Sequence, residues 1–223
     1  MTTSHSPATP AAFDTQEMVI VHRGLRRESR LLAELIAAVE PGDTARAQVL
    51  AAHFELYRTG LDSHHHGEDL LLWPPLLARV DLEAEVVLRM EAQHERVAGS
   101  LAAAGEGIAA WARTADAGRR DALVAALVEH RAALIEHLDD EEAELLPLAA
   151  RLLTAEEWAA LGDHFVASMP DKPTLLMLLG VVLEDADAEE RARLLGSLPL
   201  VGRIAWAVLG RPMYARMVRR VRG

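Results

Sequence analysis

The sequence predicts an all-α protein, an up-down-up-down antiparallel four-helix bundle with a C-terminal helical extension. Three observations lead there. Apolar residues recur every three or four positions through most of the chain, the period of an amphipathic helix. No segment alternates with period two for long enough to make a strand. Pro41-Gly42, Pro74-Pro75 and Asp116-Ala117-Gly118 cut the first two thirds into long helical stretches joined by short turns, the pattern of antiparallel neighbours.

Residues 1–13 are rich in Ser, Thr, Pro and Ala and read as a disordered tail. Asp14 is placed to cap a first helix, with Glu17 as its capping-box partner, and Met18, Val21, His22, Leu25, Leu32, Leu35 and Val39 form the inward face. A second helix starts near Asp43-Thr44 and carries Val49, His53, Tyr57, Leu61 and His64 to Trp73, where Pro74-Pro75 ends or kinks it before a short tail to Arg79. A third runs from about Asp81 to Ala112, with Val86, Met90, His94, Val97, Leu101 and Ile108 inward. The fourth spans about Arg119 to Leu153, with Leu123, Leu127, His130, Leu134, His137, Glu141 and Leu145 in register. The bundle domain is therefore expected over 14–153.

The remainder, 154–223, reads as a helical appendage. Thr154 and Glu157 form a second capping-box pattern and open a fifth helix through Trp158 and Leu161, which Met169-Pro170-Asp171-Lys172-Pro173 breaks. An apolar helix over Thr174–Leu183, a charged one over Asp185–Leu195 and a basic amphipathic one over Val201–Val221 follow, the last interrupted at Gly210-Arg211-Pro212.

Composition limits the chemistry. The 223 residues hold no cysteine, which excludes disulfides, thiolate catalysis and iron–sulfur clusters and leaves His, Asp and Glu as metal ligands. The net charge of −11 argues against nucleic acid as a partner, but it hides an asymmetry. From Arg191 to Gly223 there are eight arginines and no acid, so residues 1–190 carry about −19. No apolar run has the length of a bilayer span, and Met1–Pro10 lack the pattern of a signal peptide, so the expected location is cytoplasmic. No Gly-rich phosphate loop, Ser-His-Asp array or dinucleotide fingerprint suggests another enzyme.

Two segments carry the chemistry. His64-x-x-x-Glu68-Asp69 and His137-x-x-x-Glu141-Glu142 each place an imidazole and a carboxylate one helical turn apart, with Pro74 and Pro147 ten residues beyond the histidine. Buried without partners, such pairs are costly, and a metal ion makes them favourable. The halves also repeat: His22 precedes His64 by 42 residues and His94 precedes His137 by 43. A pseudo-two-fold relation would bring His22, His64, Glu68, His94, His137 and Glu141 to one level of the core, where bundles build metal sites. Four imidazoles and two carboxylates suit a pair of mid-row transition ions better than Ca²⁺, Mg²⁺ or copper(I).

The order His…His-x-x-x-Glu…His…His-x-x-x-Glu resembles the hemerythrin-like, or HHE cation-binding, domain family over about residues 14–153. The resemblance implies a non-haem centre of two iron ions in a four-helix bundle. It implies His22 and His64 on one iron, His94 and His137 on the other, and Glu68 and Glu141 as bridges. Two departures stand out. Oxygen-carrying hemerythrins have two histidines one turn apart on the third helix, whereas the positions one turn from His94 are Met90 and Ala98. Their fourth helix usually presents an aspartate five residues after its histidine, and this chain has Glu141 at four and Glu142 at five. The freed position is open to solvent, His65 or another side chain, which makes peroxide, nitric oxide or redox chemistry at least as good a reading as O₂ carriage.

His65 sits about 100° round the helix from His64 and reads first as a flanking residue. His66 reads as solvent-facing, and His53 and His164 as structural or exposed; Asp69 and Glu142 read first as surface acids, with the orienting of ligand histidines as their alternative role. Tyr57 and His130, each seven residues before a His-x-x-x-Glu histidine, fit a pocket lining and bundle-end polar groups equally. The four tryptophans read as packing. The resulting expectation is a protein that binds or senses a small diatomic or peroxide ligand (O₂, H₂O₂ or NO), with weak peroxidatic turnover as an extension. The alternative is a metal-switched module that contacts a membrane or protein through its Arg-rich C-terminal helix; packing of that helix on the acidic body is favoured over such contact. A ferritin-like oxidase ranks last, because Glu91-x-x-His94 is its one good Glu-x-x-His match.

Overall fold

The computed structural model describes residues 13–80 and 83–223. The expectations for the tail before Phe13 and for a helix start at Asp81 lie outside the described residues, which contain helices and turns and no strand. α1 (Gln16–Ala37) begins without the expected capping box. Asp14 lies one position too early: it accepts the Gln16 N–H at 2.8 Å and pairs with Arg193 of the extension. The turn after α1 uses Gly42 at φ +87°, in the left-handed region that glycine enters freely. Asp43 then caps α2 (Thr44–Leu71) by accepting the Arg46 N–H, and Asp116 caps α5 (Ala117–Asp140) the same way from Arg119. Between them lie α3 (Trp73–Leu77), with Pro74-Pro75 in its first turn where no N–H is needed, and α4 (Ala84–Trp111).

α5 passes into a π-helical turn, Glu141–Leu145, and then α6 (Leu146–Leu152). Pro147 cannot donate to the carbonyl four residues back and clashes with it. Widening the turn by one residue, so that the Leu146 N–H reaches the Glu141 carbonyl, carries the helix through.

The four long helices pack in a cycle, α1 on α2 and α5, α4 on α2 and α5. They enclose two apolar clusters. The larger holds Leu25, Leu32, Phe54, Leu61, Val97, Trp111, Leu134 and Leu138 among others; the smaller holds Leu72, Trp73, Leu76, Met90, Leu145 and Leu153. Along α2, residues of the large cluster end at Leu61 and the small one begins at Leu72 just beyond. Along α4 the order reverses, and α5 returns to the order of α2. The stretches left between the clusters carry His64, Glu68, His94 and Glu141, and His137 sits at the edge of the large cluster beside Leu138.

α7 (Ala155–Ser168) opens with the Thr154/Glu157 capping box that the sequence predicts and packs on α2. α8 (Lys172–Asp185) lies on α1 and α2, where Gly24 of α1 and Gly60 of α2 leave room for Val181 and Leu178. α9 (Ala188–Ser197) follows with its own box, Asp187/Glu190. The break expected at Gly210-Arg211-Pro212 is absent. α10 (Leu200–Ala205) runs through a second π turn, Trp206–Gly210, into α11 (Arg211–Arg222), and the widened turn again absorbs a proline. The extension is fastened to the long helices: Val221 is buried in the large cluster and Arg222 pairs with Glu184 and Glu28.

Candidate metal centre

Between the two apolar clusters the four long helices bring six expected side chains together. His22 comes from α1, His64 and Glu68 from α2, His94 from α4 and His137 from α5, with Glu141 at the mouth of the first π turn. All six are buried. Their ligand-type atoms form two groups, each with every atom within 4.8 Å of the others: His22, His64, Glu68 and Glu141 in one, and Glu68, His94, His137 and His65 in the other. Glu68 belongs to both. Its oxygens lie 3.4 Å from His64 Nε2 and 3.5 Å from His94 Nε2. Glu141 also spans the groups, with Oε2 at 3.3 Å from His22 Nε2 and 3.6 Å from His137 Nε2.

His65 is the residue that the sequence analysis set aside. It is buried, its ring stacks on His94 at 4.1 Å and it meets His137 edge-on at 5.0 Å. The 100° between adjacent helical residues takes it out of the group that His64 joins and into the next one. A site wide enough for two ions accepts both neighbours. The signal in the sequence was the pairing of His65 with a missing histidine near His94.

Hydrogen bonds fix the orientation of two imidazoles. His22 Nδ1–H donates to Glu142 at 2.8 Å, and Arg26 holds the same carboxylate at 2.6 Å. His94 Nδ1–H donates to Asp69 at 2.8 Å, and the indole N–H of Trp73 donates to the same oxygen at 2.7 Å. These bonds leave the Nε2 lone pairs facing inward, the arrangement in which metal-ligating histidines are held. Asp69 and Glu142, expected as surface acids, are thus orienting groups.

The electrostatics are those of a site suited to a cation. Burial, with the neighbouring His22, His137 and His94, pushes His64 well below the ordinary imidazole range. Burial, then His94 and His64, does the same to His65, and burial with His94 and His22 brings His137 down to about 2. Neutral imidazoles have lone pairs ready for a metal. Glu68 is pushed well above the ordinary range by burial and by Glu141, and Glu141 is itself raised by burial. Eight buried atoms here lack a protein hydrogen-bond partner: Nε2 of His22, His64 and His65, Nδ1 of His137, and both oxygens of Glu68 and Glu141. Buried polar groups are almost always paired, so such a concentration calls for a ligand. Nitrogen and oxygen donors with no sulfur match a mid-row divalent ion, and the residues fit one.

The family model described as hemerythrin HHE cation binding domain matches residues 14–149, well over half of the chain. The chain belongs to the hemerythrin HHE family. No curated protein and no solved structure matches it. The helices that the hemerythrin model covers are those that carry every residue of the two groups, and the His/Glu clusters are compatible with the cation binding that the family name states. The extension from α7 onward lies outside the match.

Within the hemerythrin domain, two more buried pairs lie off the centre. Tyr57 donates its hydroxyl to His130 Nε2 at 2.7 Å; His130 Nδ1–H donates to Ser100 Oγ at 2.9 Å, and the Ser100 hydroxyl donates to the Val97 carbonyl at 2.8 Å. Burial holds His130 at about 4, so it is neutral and this tautomer is fixed. These residues are buried and mutually satisfied, not polar tips at a bundle end. His53 pairs with Glu28 at 2.7 Å beneath the extension.

Proposed function

We propose that this hemerythrin-domain chain is a non-haem di-iron protein that binds or senses a small oxidant, O₂, H₂O₂ or NO. In this reading the four long helices form an antiparallel up-down-up-down bundle, which the alternating order of the two apolar clusters along α2, α4 and α5 supports. His22 and His64 would hold one iron and His94 and His137 the other, with Glu68 and Glu141 as the carboxylates shared between them. His65 supplies the fifth imidazole, in place of the histidine absent from α4. Iron bound there supplies the redox-active, ligand-accepting centre that a diatomic or peroxide needs.

The chain's own residues do the rest. Glu142 and Asp69 set the tautomer and direction of two imidazoles. The apolar clusters on either side keep bulk water from the layer and strengthen its electrostatics. Glu68, held well above the ordinary carboxylate range by burial and Glu141, would release its proton on binding a cation. A cytoplasmic location completes the reading, and no helix among the described residues is long and apolar enough to cross a membrane.

One observation carries the proposal: the buried ligand-type atoms fall into two groups that share a carboxylate, and in them His22, His64, His65, Glu68 and Glu141 present atoms with no hydrogen-bond partner. The test is metal content per chain, on wild type and on His64→Ala/His137→Ala purified beside it. About two irons per wild-type chain, lost in the double variant, is the expected result. His65→Ala is expected to retain about one tightly held ion and to lose most of its affinity for the other. A folded wild type that stays metal-free when offered ferrous iron would overturn the reading. With iron loaded, absorption spectra on addition of O₂, H₂O₂ or NO identify the ligand.

A further inference from the structure

The surface of the extension carries a second feature, remote in sequence from the metal centre and outside the hemerythrin match. Nine large aliphatic residues are conspicuously exposed among the described residues; Leu70, Leu88, Val128 and Val166 are scattered, and the other five fall within ten positions. Leu200, Val201, Ile204, Val208 and Leu209 stand 53 to 78 % exposed on α10 and the π turn that follows it. Single exposed aliphatics are ordinary, but a cluster on one helix marks a contact surface.

The same helical run supplies charge of one sign. Arg203, Arg211, Arg216, Arg219 and Arg220 are exposed and have no carboxylate partner among the described residues. The other three arginines of the basic segment are engaged. Arg191 donates to carbonyls at the end of α8 and beyond, Arg193 pairs with Asp14, and Arg222 with Glu184 and Glu28. So three arginines of the basic segment are engaged within the fold, and five are left exposed on the helical run that carries the aliphatic row.

We propose that the α10–α11 run is an interfacial membrane anchor that lays its aliphatic row into an anionic lipid surface while the free arginines meet the headgroups. The combination of an apolar row with flanking arginines is what a monotopic helix presents. Negative lipid headgroups complement the arginines, at roughly a fivefold gain in partition for each one near the surface. A second copy of the chain fits poorly, because a two-fold contact through this face would set the same arginines against one another. A protein partner fits less well than lipid. The aliphatics project from a single convex helix, and the aromatic residues that usually anchor a protein contact, Trp206 and Tyr214, are half-buried against the protein itself. The charge of the run suits lying on a surface, since no helix among the described residues is long and apolar enough to cross a bilayer.

Vesicle flotation with the full-length protein tests this. The probes are phosphatidylcholine vesicles, and the same vesicles with about a third of the lipid replaced by phosphatidylglycerol, the anionic fraction on which such anchors depend. The protein is expected to float with the anionic vesicles at low salt, to be released as salt rises, and to stay behind with the neutral ones. Ile204→Asp/Val208→Asp should lower the partition by at least roughly tenfold, and Arg203→Gln/Arg211→Gln should lower it and flatten its salt dependence. Both pairs are exposed and far in sequence from the metal ligands, so circular dichroism and metal content should match wild type. Failure of the wild type to float, equal flotation with neutral vesicles, or unchanged flotation of both variants would overturn the proposal. So would sedimentation showing a concentration-dependent dimer that the aspartate variant abolishes while flotation is absent, since the face would then be a self-contact. Flotation abolished only by the arginine variant would also overturn the inserted row and leave simple surface adsorption.

Discussion

At the scale of single residues, the metal centre is a set of groups that are poor neighbours without an ion. Glu68 shows it most clearly. Its carboxyl in an unfolded chain titrates near 4.5, and burial beside Glu141 raises it well above that in the fold. In the metal-free protein the folded state therefore holds a proton that the unfolded chain gives up, and stability falls as pH rises above about 4.5. Glu68→Gln has no proton to lose. Free of metal at neutral pH, it is expected to be more stable than metal-free wild type by about 1–3 kcal/mol, with the difference vanishing toward pH 4. Urea melts of both chelated proteins across that range check it; a variant less stable at neutral pH would refute it. The orienting acids act differently. Glu142→Gln and Asp69→Asn leave every proposed ligand in place but weaken the bond that holds His22 or His94. Each should cost roughly 10–100-fold in iron affinity by competitive chelation, with the fold unchanged. For both acids the sequence offered the orienting role only as the lesser reading, because an exposed helical carboxylate and one that swings across to another helix's imidazole look alike in sequence.

At the scale of elements, helix positions were legible and their irregularities were not. Apolar periodicity, the start near Asp43-Thr44 and the Thr154/Glu157 capping box place helices that the structure contains, while Asp116, read as part of a turn, proves to be the cap of α5. Pro147 and Pro212, however, are carried inside continuous helical runs by π turns, which depend on packing around the helix and not on local propensity. At Pro147 the widened turn begins at Glu141 itself, so the irregularity sits where a carboxylate must reach two imidazoles. The docking of α11 depends on Gly180 of α8. A Cβ there would stand 2.3 Å from the Tyr214 ring and 2.9 Å from its Cβ, a contact that no rotation of the tyrosine relieves. Gly180→Ala is expected to destabilise the protein by about 1–3 kcal/mol in denaturant melts and to raise hydrogen exchange in α11 while leaving metal content intact. Equal exchange in variant and wild type would show that the close approach is not what seats α11. Against burial, the hydrogen bonds from Arg222 and Tyr214 hold Glu184 at about 2, so this latch persists to strongly acidic pH.

At the scale of the whole molecule, an acidic helical body with a buried polar layer is joined to a basic run that it only partly neutralises. The sequence by itself determined the helical class, the family and the six side chains His22, His64, Glu68, His94, His137 and Glu141 as one chemical set. It could do so because helical period and repeat spacing are properties of the chain, readable without knowing what packs on what. Only the tertiary structure decided that His65 joins the second group, that Asp69 and Glu142 hold imidazoles, and that Tyr57 and His130 satisfy each other. It alone separated the arginines that dock the extension from those left facing solvent. Each of these depends on which face of one helix meets another. That is set by the three-dimensional packing of the apolar clusters and has no local signature along the chain.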